Sequence, residues 1–292
     1  MKNKKIAIIG LTGQSIFLEV DEFHNPGETI QAKSVNIEPG GKGYNQAIAC
    51  ARLGMDVSYL TAVGIDSYAT ECEKYMVNEK IKTYYFKKED NSALATILTN
   101  KNGDNQVTVY KGASEKLQLD DLEVFKKEIE TSDILLVNNE IPYSILNESI
   151  KYAKQNNVYV ILNPAPAIYN LDEILPYVDL LIPNESEANQ IFNNDINNIK
   201  INSDLKLIIT LGSKGCLYID KDNKKYYDAK KVNVVDTTGA GDVFCAAVSS
   251  QILNKKIEKT INFATIASSI HIQRKYVMEA IPKLYEIEKE CH

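Results

Sequence analysis

The chain has 292 residues, 44% of them hydrophobic and 25% charged, with a formal net charge of −6. That is enough apolar material for one large α/β domain or two small ones, and the acidic balance argues against a general nucleic-acid binder, whose surface must meet phosphates with positive charge. No apolar run approaches the roughly 18 residues of a membrane span.

Met1-Lys-Asn-Lys-Lys5 leads into Ile6-Ala-Ile-Ile9, which reads as a buried first strand and not as a signal peptide. From there short β-rich runs alternate with helical patterns. Strands are predicted at Lys5–Ile9, Val57–Ala62, Ile134–Val137, Val158–Leu162, Leu180–Pro183 and Leu207–Leu211. Between them lie helices over Gly43–Leu53, Ser67–Asn78, Leu119–Glu130, Tyr143–Gln155 and Glu185–Phe192. This alternation predicts a largely parallel sheet with helices on both faces. Near the C-terminus Cys216–Ile219 and Tyr226–Ala229 flank Asp220–Lys224 as a hairpin, and helices follow near Gly241–Leu253, Ile257–Gln273 and Pro282–Lys289. Two segments fall outside the alternation: Ile16–Glu22, and Ala93–Thr99 with Gln106–Tyr110, the latter pair turning at residues 100–103. They predict a small β-flap, or lid, inserted at about 12–38 and 82–112 into a single domain spanning 1–292. The five cysteines are scattered without a Cys-x-x-Cys pair, and the histidines number only three. Free thiols in a reducing cytoplasm and no metal cluster are expected.

The strongest local signal is Val234-Val-Asp-Thr-Thr-Gly-Ala-Gly-Asp-Val-Phe244, an extended segment running through a Gly-Ala-Gly turn into a helix. The free N–H groups and the dipole of such a helix start can hold an anion, and Gly239, Ala240 and Gly241 are small enough to let phosphate oxygens reach the backbone. Asp242 beside that site suits a base that takes a proton from an attacking hydroxyl; alternatively it favours a helix N-terminus, with Asp236 capping a turn. Pro39-Gly-Gly-Lys-Gly-Tyr-Asn-Gln-Ala47 also opens a helix, with Lys42 and Asn45 as donors or, more blandly, a glycine-rich turn with a solvated lysine. Neither a G-x-x-x-x-G-K-[ST] nor a G-x-G-x-x-G fingerprint is present.

Together Gly40-Gly-Lys-Gly-Tyr-Asn-Gln-Ala47 and Asp236-Thr-Thr-Gly-Ala-Gly-Asp242 resemble the N- and C-terminal signatures of the ribokinase-like, phosphofructokinase-B type carbohydrate kinases. Pro26-Gly-Glu-Thr29, Glu140 after a strand, Asn163-Pro-Ala-Pro-Ala167, Pro183-Asn-Glu-Ser-Glu-Ala188 and Thr210-Leu-Gly-Ser-Lys-Gly215 fall between them in the family's order, so the resemblance spans roughly residues 5 to 285. It implies a three-layer α/β sandwich with a β-lid, and an ATP- and Mg²⁺-dependent kinase acting on the hydroxyl of a sugar or sugar-like molecule. Carried over by position, Asp242 would be the base, with Gly239, Ala240 and Gly241 stabilising the transferring phosphoryl group. Gly41, Lys42, Asn45, Glu140 and Ser15 would line the substrate. Asn184, Thr210, Gly212, Lys214 and Thr265 would follow the nucleotide, with Phe263 to His271 walling the adenine. Asn184 and Glu187, in an N-x-x-E pattern, would organise Mg²⁺ through water, and the lid would close over the substrate and exclude water.

Two departures stand out. Where the resemblance implies Asn-x-Asp gripping a vicinal diol, this chain has Gly13 and Ser15, so ribose should bind weakly and the space beside Gly13 could admit a bulkier group. Asp21 and Glu19 on the flap strand are the alternative carboxylates, although both are expected to face solvent. Arg274-Lys-Tyr-Val-Met-Glu-Ala280 departs from the implied monovalent-cation loop: Tyr276 replaces a glycine and Ala280 a hydroxyl, which predicts a different chain path and counts against K⁺ activation. The alternatives are a nucleoside kinase (for pseudouridine or a purine nucleoside), a non-catalytic sugar-binding member of the fold, and a kinase of a vitamin alcohol. The exposed lid, together with the resemblance, implies a homodimer formed through the lid.

Overall fold

Ile6 and Ile8 point to one side of the first strand and Ala7 and Ile9 to the other, and all four are fully buried. A strand that is apolar on both faces belongs at the centre of a sheet covered on both sides. The computed structural model describes residues 4–101, 104–193 and 195–291. In chain order its elements are β1 (Lys5–Ile9), β2 (Gly13–Glu19), β3 (Ser34–Gly40), α1 (Lys42–Arg52), β4 (Asp56–Val63), α2 (Ser67–Asn78), β5 (Lys82–Lys87), β6 (Ala93–Thr99), β7 (Asn105–Tyr110) and α3 (Leu119–Glu130). There follow β8 (Ile134–Asn138), α4 (Tyr143–Gln155), β9 (Tyr159–Asn163), β10 (Leu180–Leu181), α5 (Glu185–Phe192), β11 (Lys206–Thr210), β12 (Cys216–Ile219), β13 (Lys224–Tyr227), α6 (Ala240–Gln251), α7 (Ile257–His271) and α8 (Leu284–Glu290).

The main sheet has nine strands in the order β13-β12-β11-β10-β9-β8-β1-β4-β5. All are parallel to their neighbours except the β11-β12-β13 pairings, which are antiparallel. One core joins α1, α2, α6, α7 and α8 to Ile6, Ile8, Leu136, Ile161 and Ile208; the other joins α3, α4 and α5 to Ala7, Ile9, Val137, Leu162 and Ile209. This is the three-layer sandwich expected. None of the helices among the described residues is long and apolar enough to cross a membrane.

The lid is a separate four-stranded sheet, β3-β2-β6-β7. Its inner face buries Phe17 and Ile97 in the first core, while Val35 and Ile37 on its outer face are 61% and 50% exposed. Two strands were not individually assigned. Ser34–Gly40, most of it inside the lid insertion expected at about 12–38, pairs along its whole length with β2 as an edge strand, where Pro39 is tolerated. Lys82–Lys87 joins β4 at the edge of the main sheet, so the second lid insertion is narrower than 82–112. Strand β13 begins two residues before the expected Tyr226. Residues 102 and 103 of the turn expected at 100–103 lie outside the described residues.

The join between lid and body is tight. A Cβ on Gly43 would stand 2.6 Å from the Gly10 Cα, so the first turn of α1 lies backbone to backbone on the end of β1. Gly43→Ala should therefore cost about 1–3 kcal/mol by overpacking. Urea unfolding of the two proteins measures it, and an unchanged midpoint would contradict this contact.

Candidate active site

In open α/β sheets ligands bind outside the carboxyl ends of the strands, where neighbouring connections diverge. Here β1 leads to one side and β8 lies on the other; Asn138 ends β8, Asn139 and Glu140 follow it, and Asn163 ends β9. Helices α1 and α6 aim their N-termini at the same crevice.

At the start of α1, Gly41 takes φ 116°, and a side chain there would meet the Leu11 carbonyl at 2.3 Å. That conformation leaves the Lys42 N–H free to donate to Glu140 Oε2 at 2.7 Å. One turn on, Asn45 Nδ2 donates to Asp242 Oδ2 at 2.8 Å and Gln46 Nε2 to Asp242 Oδ1 at 3.3 Å. Gln46 also donates to Asn163 Oδ1 at 3.1 Å, and Asn138 Oδ1 accepts from the Glu140 N–H at 3.0 Å. Asn45 Oδ1 is buried with no partner among the described residues, an acceptor left unused beside Asp242.

Asp242 sits in the first turn of α6, whose N-cap Gly239 is left-handed at φ 78°. The turn before it is held from three sides. Asp236 Oδ1 accepts from the Thr238 N–H at 2.9 Å, His271 Nε2 donates to the Thr238 carbonyl at 2.7 Å, and Ser268 Oγ donates to the Ala240 carbonyl at 3.2 Å. Gly241 would meet nothing within 4 Å if it had a Cβ, so this flank is open to a ligand. The Ala240 N–H already has the Thr237 carbonyl at 3.2 Å.

Burial pushes the Asp242 carboxyl above its ordinary value, against the pull of Lys42 and the bonds from Asn45 and Gln46. Burial likewise raises Glu140, to about 7, with Lys42 opposing. Burial alone would lower Lys42, but Asp242, Glu140 and Glu187 leave its ammonium above the ordinary value. A carboxyl so placed can accept a proton from a hydroxyl, and a cation so placed can hold an anion.

Beyond α6 lies a cleft of about 570 Å³ lined by Asn184, Glu185, Ser186, Asn189, Thr210, Leu211 and Gly212. It gathers three of the residues expected along a nucleotide. Lys214 is exposed on the turn after Gly212 and Thr265 is half-buried on α7; neither lines this cleft. Asn184 and Glu187 form a reciprocal capping box at the start of α5, Oδ1 of Asn184 accepting at 2.8 Å and Oε2 of Glu187 at 2.9 Å. One oxygen of each is thus spent on the helix, and the second Glu187 oxygen remains. Its charge bears on both Lys42 and Asp242. No group of three or more His, Cys, Asp or Glu among the described residues could hold a metal by itself.

Ser15 is half-buried on the inner face of the lid, opposite Glu38 across β2 and β3. One expectation needs correcting: there is no vacated space at Gly13, where a Cβ would stand 2.1 Å from the Ala93 carbonyl. Tyr276 takes a left-handed backbone of the kind glycine favours, at φ 64°. Asp21 and Glu19 face solvent as expected, paired with Lys33 and Ser34.

The chain matches the profile of the pfkB family carbohydrate kinases over residues 3–284. It belongs to that family. The ribokinase of Staphylococcus aureus is 33% identical over 98% of this chain and 99% of its own length. The solved ribokinase of Thermotoga maritima superposes with a TM-score of 0.85 at 33% identity, covering 97% of this chain and 98% of that one. The ribokinase of Arabidopsis thaliana, solved with ribose and ATP, gives a TM-score of 0.84 at 25% identity over 99% and 98% of the two chains. As a pfkB member the protein is a carbohydrate kinase.

Gln46, Asn138 and Asn163 escaped the sequence reading as site residues. Two of them stand inside quoted motifs, in Asn45-Gln46 and Asn163-Pro, but nothing local says that they meet.

Because the raised Glu140 binds its proton more tightly folded than unfolded, its own contribution to folding stability falls as pH rises from about 4.5 to about 7. Glu140→Gln lacks that titration. Its melting temperature relative to the native chain should rise between about pH 5 and pH 8; a constant difference would show that Glu140 does not titrate there.

Proposed function

We propose that this chain transfers the γ-phosphoryl group of ATP to a hydroxymethyl or other alcohol group of a sugar or sugar-like molecule, with Asp242 as general base. The observation that carries the proposal is a buried carboxylate, held by Asn45 and Gln46, at the open glycine start of α6. The substrate hydroxyl would lie against Asp242, which takes its proton as the oxygen attacks. Lys42, Glu140, Ser15, the Gly41 backbone and the free Asn45 Oδ1 would orient the remaining hydroxyls. The N–H groups of Gly239, Ala240 and Gly241 would face the charge that develops on the phosphoryl group, Ala240 by sharing its bond to Thr237.

Thr210, Gly212 and Asn184 would hold the nucleotide in the cleft, with Lys214 and Thr265 at its margins. Mg²⁺, brought with the phosphates, would supply charge neutralisation, and the free oxygen of Glu187 with Asn184 would hold its waters. The hydroxyl at position 15, with Asp21 and Glu19 in solvent, supports a substrate that is not gripped through a carboxylate at this point of the lid. D-Ribose should then be turned over poorly against a panel of hexoses and nucleosides in an ADP-release assay. In the same assay Asp242→Asn should lose about 10²–10⁴-fold in kcat with ATP binding kept. A variant retaining more than about a tenth of native turnover would remove Asp242 from the role of base.

The outer face of the lid supports a homodimer, since Val35 and Ile37 on it are 61% and 50% exposed beside the partly buried Ile16 and Leu18. Light scattering should give twice the 32.7 kDa chain mass, and Ile37→Asp should halve it. A native mass near 32.7 kDa at micromolar concentration would refute the dimer.

A further inference from the structure

Glu38 on lid strand β3 is only 8% exposed, and no lysine or arginine among the described residues pairs with it. Its two oxygens accept instead from backbone: Oε1 from the Val277 N–H at 2.8 Å and Oε2 from the Met278 N–H at 3.3 Å. The preceding amide, that of Tyr276, donates to Asp236 Oδ2 at 3.1 Å. Three successive N–H groups of one loop therefore end on two carboxylates, one from the lid and one from the segment that leads into the glycine turn.

The same loop is gripped elsewhere. Arg52 Nη1 donates to the Met278 carbonyl at 2.6 Å and the Ile281 carbonyl at 3.0 Å. The Tyr276 ring lies against Phe17 of the lid, centroids 5.5 Å apart. Tyr276 holds a left-handed backbone that is unfavourable for a non-glycine residue, so the loop keeps its shape because its surroundings impose it. At the loop's tip Val277 abuts the anion-binding turn: a Cβ on Gly239 would meet Val277 Cγ1 at 2.9 Å. Apolar packing could join lid to body without burying a charge, and burial pushes the Glu38 carboxyl above its ordinary value against the two N–H bonds.

We infer that Glu38 is a positioning residue for phosphoryl transfer: from the lid it holds the 276–278 loop so that Val277 braces Gly239 and the N–H groups that follow it. The inference rests on the proposed role of the Asp242 turn. It makes lid and anion site one mechanical unit, so that the strand covering the substrate also sets the turn that faces the phosphoryl group. An error of about 1 Å in such a group costs about 10²-fold.

The test is Glu38→Gln, which keeps the shape but turns an NH₂ toward one of the two amides, read in two ways. Amide hydrogen exchange followed by mass spectrometry should speed up about tenfold not only at 276–279 but also in the 236–242 segment. Steady-state kinetics on whichever alcohol the native enzyme uses should show kcat lowered about 10–100-fold, with both KM values within about threefold. Combined with Val277→Ala, the kcat loss should be no larger than the greater single loss, because both changes break one linkage. Faster exchange confined to 276–279 would overturn the inference. So would multiplying kcat effects, or a raised sugar KM at unchanged kcat, which would make Glu38 a substrate ligand. If Glu38→Gln does not fold, Glu38→Asp, which withdraws the carboxylate by one methylene, is read by the same criteria. A native protein inactive on every sugar and nucleoside would defeat the kinase proposal, and the exchange result would still decide the clamp.

Discussion

The burial of Glu140 and Asp242 beside the half-buried Lys42 is the constraint that orders the rest of this molecule. An ionised group removed from water costs several kcal/mol unless it is paired and its remaining hydrogen-bonding capacity is met. Three such groups, from segments about 100 residues apart, tolerate each other because one is positive and two are negative, and because amides are packed around them. Asn45 and Gln46 serve Asp242, the Lys42 N–H serves Glu140, and Asn138 and Asn163 orient the next layer. All of this is possible only at the carboxyl ends of the strands, where the backbone leaves the ladder and two helices begin. The N-termini of α1 and α6 bring partial positive charge to the same place, which eases the presence of two carboxylates.

Chain connectivity ties the lid to that cluster. Strand β2 leaves the body after the central strand β1, and β3 returns through Gly40 and Gly41 directly into Lys42. The lid is therefore not a flap hung from a remote loop. Strand β2 is continuous with the middle of the main sheet and edge strand β3 with a charged site residue. The contact of Gly43 on Gly10 closes this loop of chain at its base, so any movement of the lid is referred to the crevice itself.

Much of this was legible in the sequence, because the chemistry is written in short contiguous runs. Gly40-Gly-Lys-Gly and Gly239-Ala-Gly-Asp242 each combine a backbone conformation that glycine permits with a side chain one residue away, and local spacing conveys that. The alternation of apolar strands and amphipathic helices conveyed the sandwich for the same reason. What was hidden depends on pairing across the chain. Ser34–Gly40 has no alternation that marks it as a strand until β2 lies beside it, and Lys82–Lys87 looks like part of the lid until β4 supplies its partner. Gln46 meeting Asn163, or Glu38 meeting the amides of Val277 and Met278, joins residues 117 and 239 positions apart. Periodicity has no access to such separations. Gly13 misled for a simpler reason: a missing side chain suggests room, whereas here the neighbouring strand backbone already fills it.

The register of β2 against β3 bears on what the crevice can recognise. Ser15 and Glu38 are cross-strand neighbours and so lie on the same inner face of the lid. A carboxylate on that face would be the natural grip for two adjacent hydroxyls, since it accepts both at once. Position 15 offers a single hydroxyl, and the carboxylate opposite it has both oxygens committed to loop amides. Recruiting Glu38 to a sugar would leave the Val277 and Met278 N–H groups unpaired in a buried place, at about 1–3 kcal/mol for each. That cost cancels most of what two new bonds to a diol could return. On the proposed reading, discrimination among alcohols therefore passes from the lid to the floor of the crevice, where Asn45 Oδ1 has no partner and Glu140, with a proton affinity near neutrality, can serve a hydroxyl as either donor or acceptor.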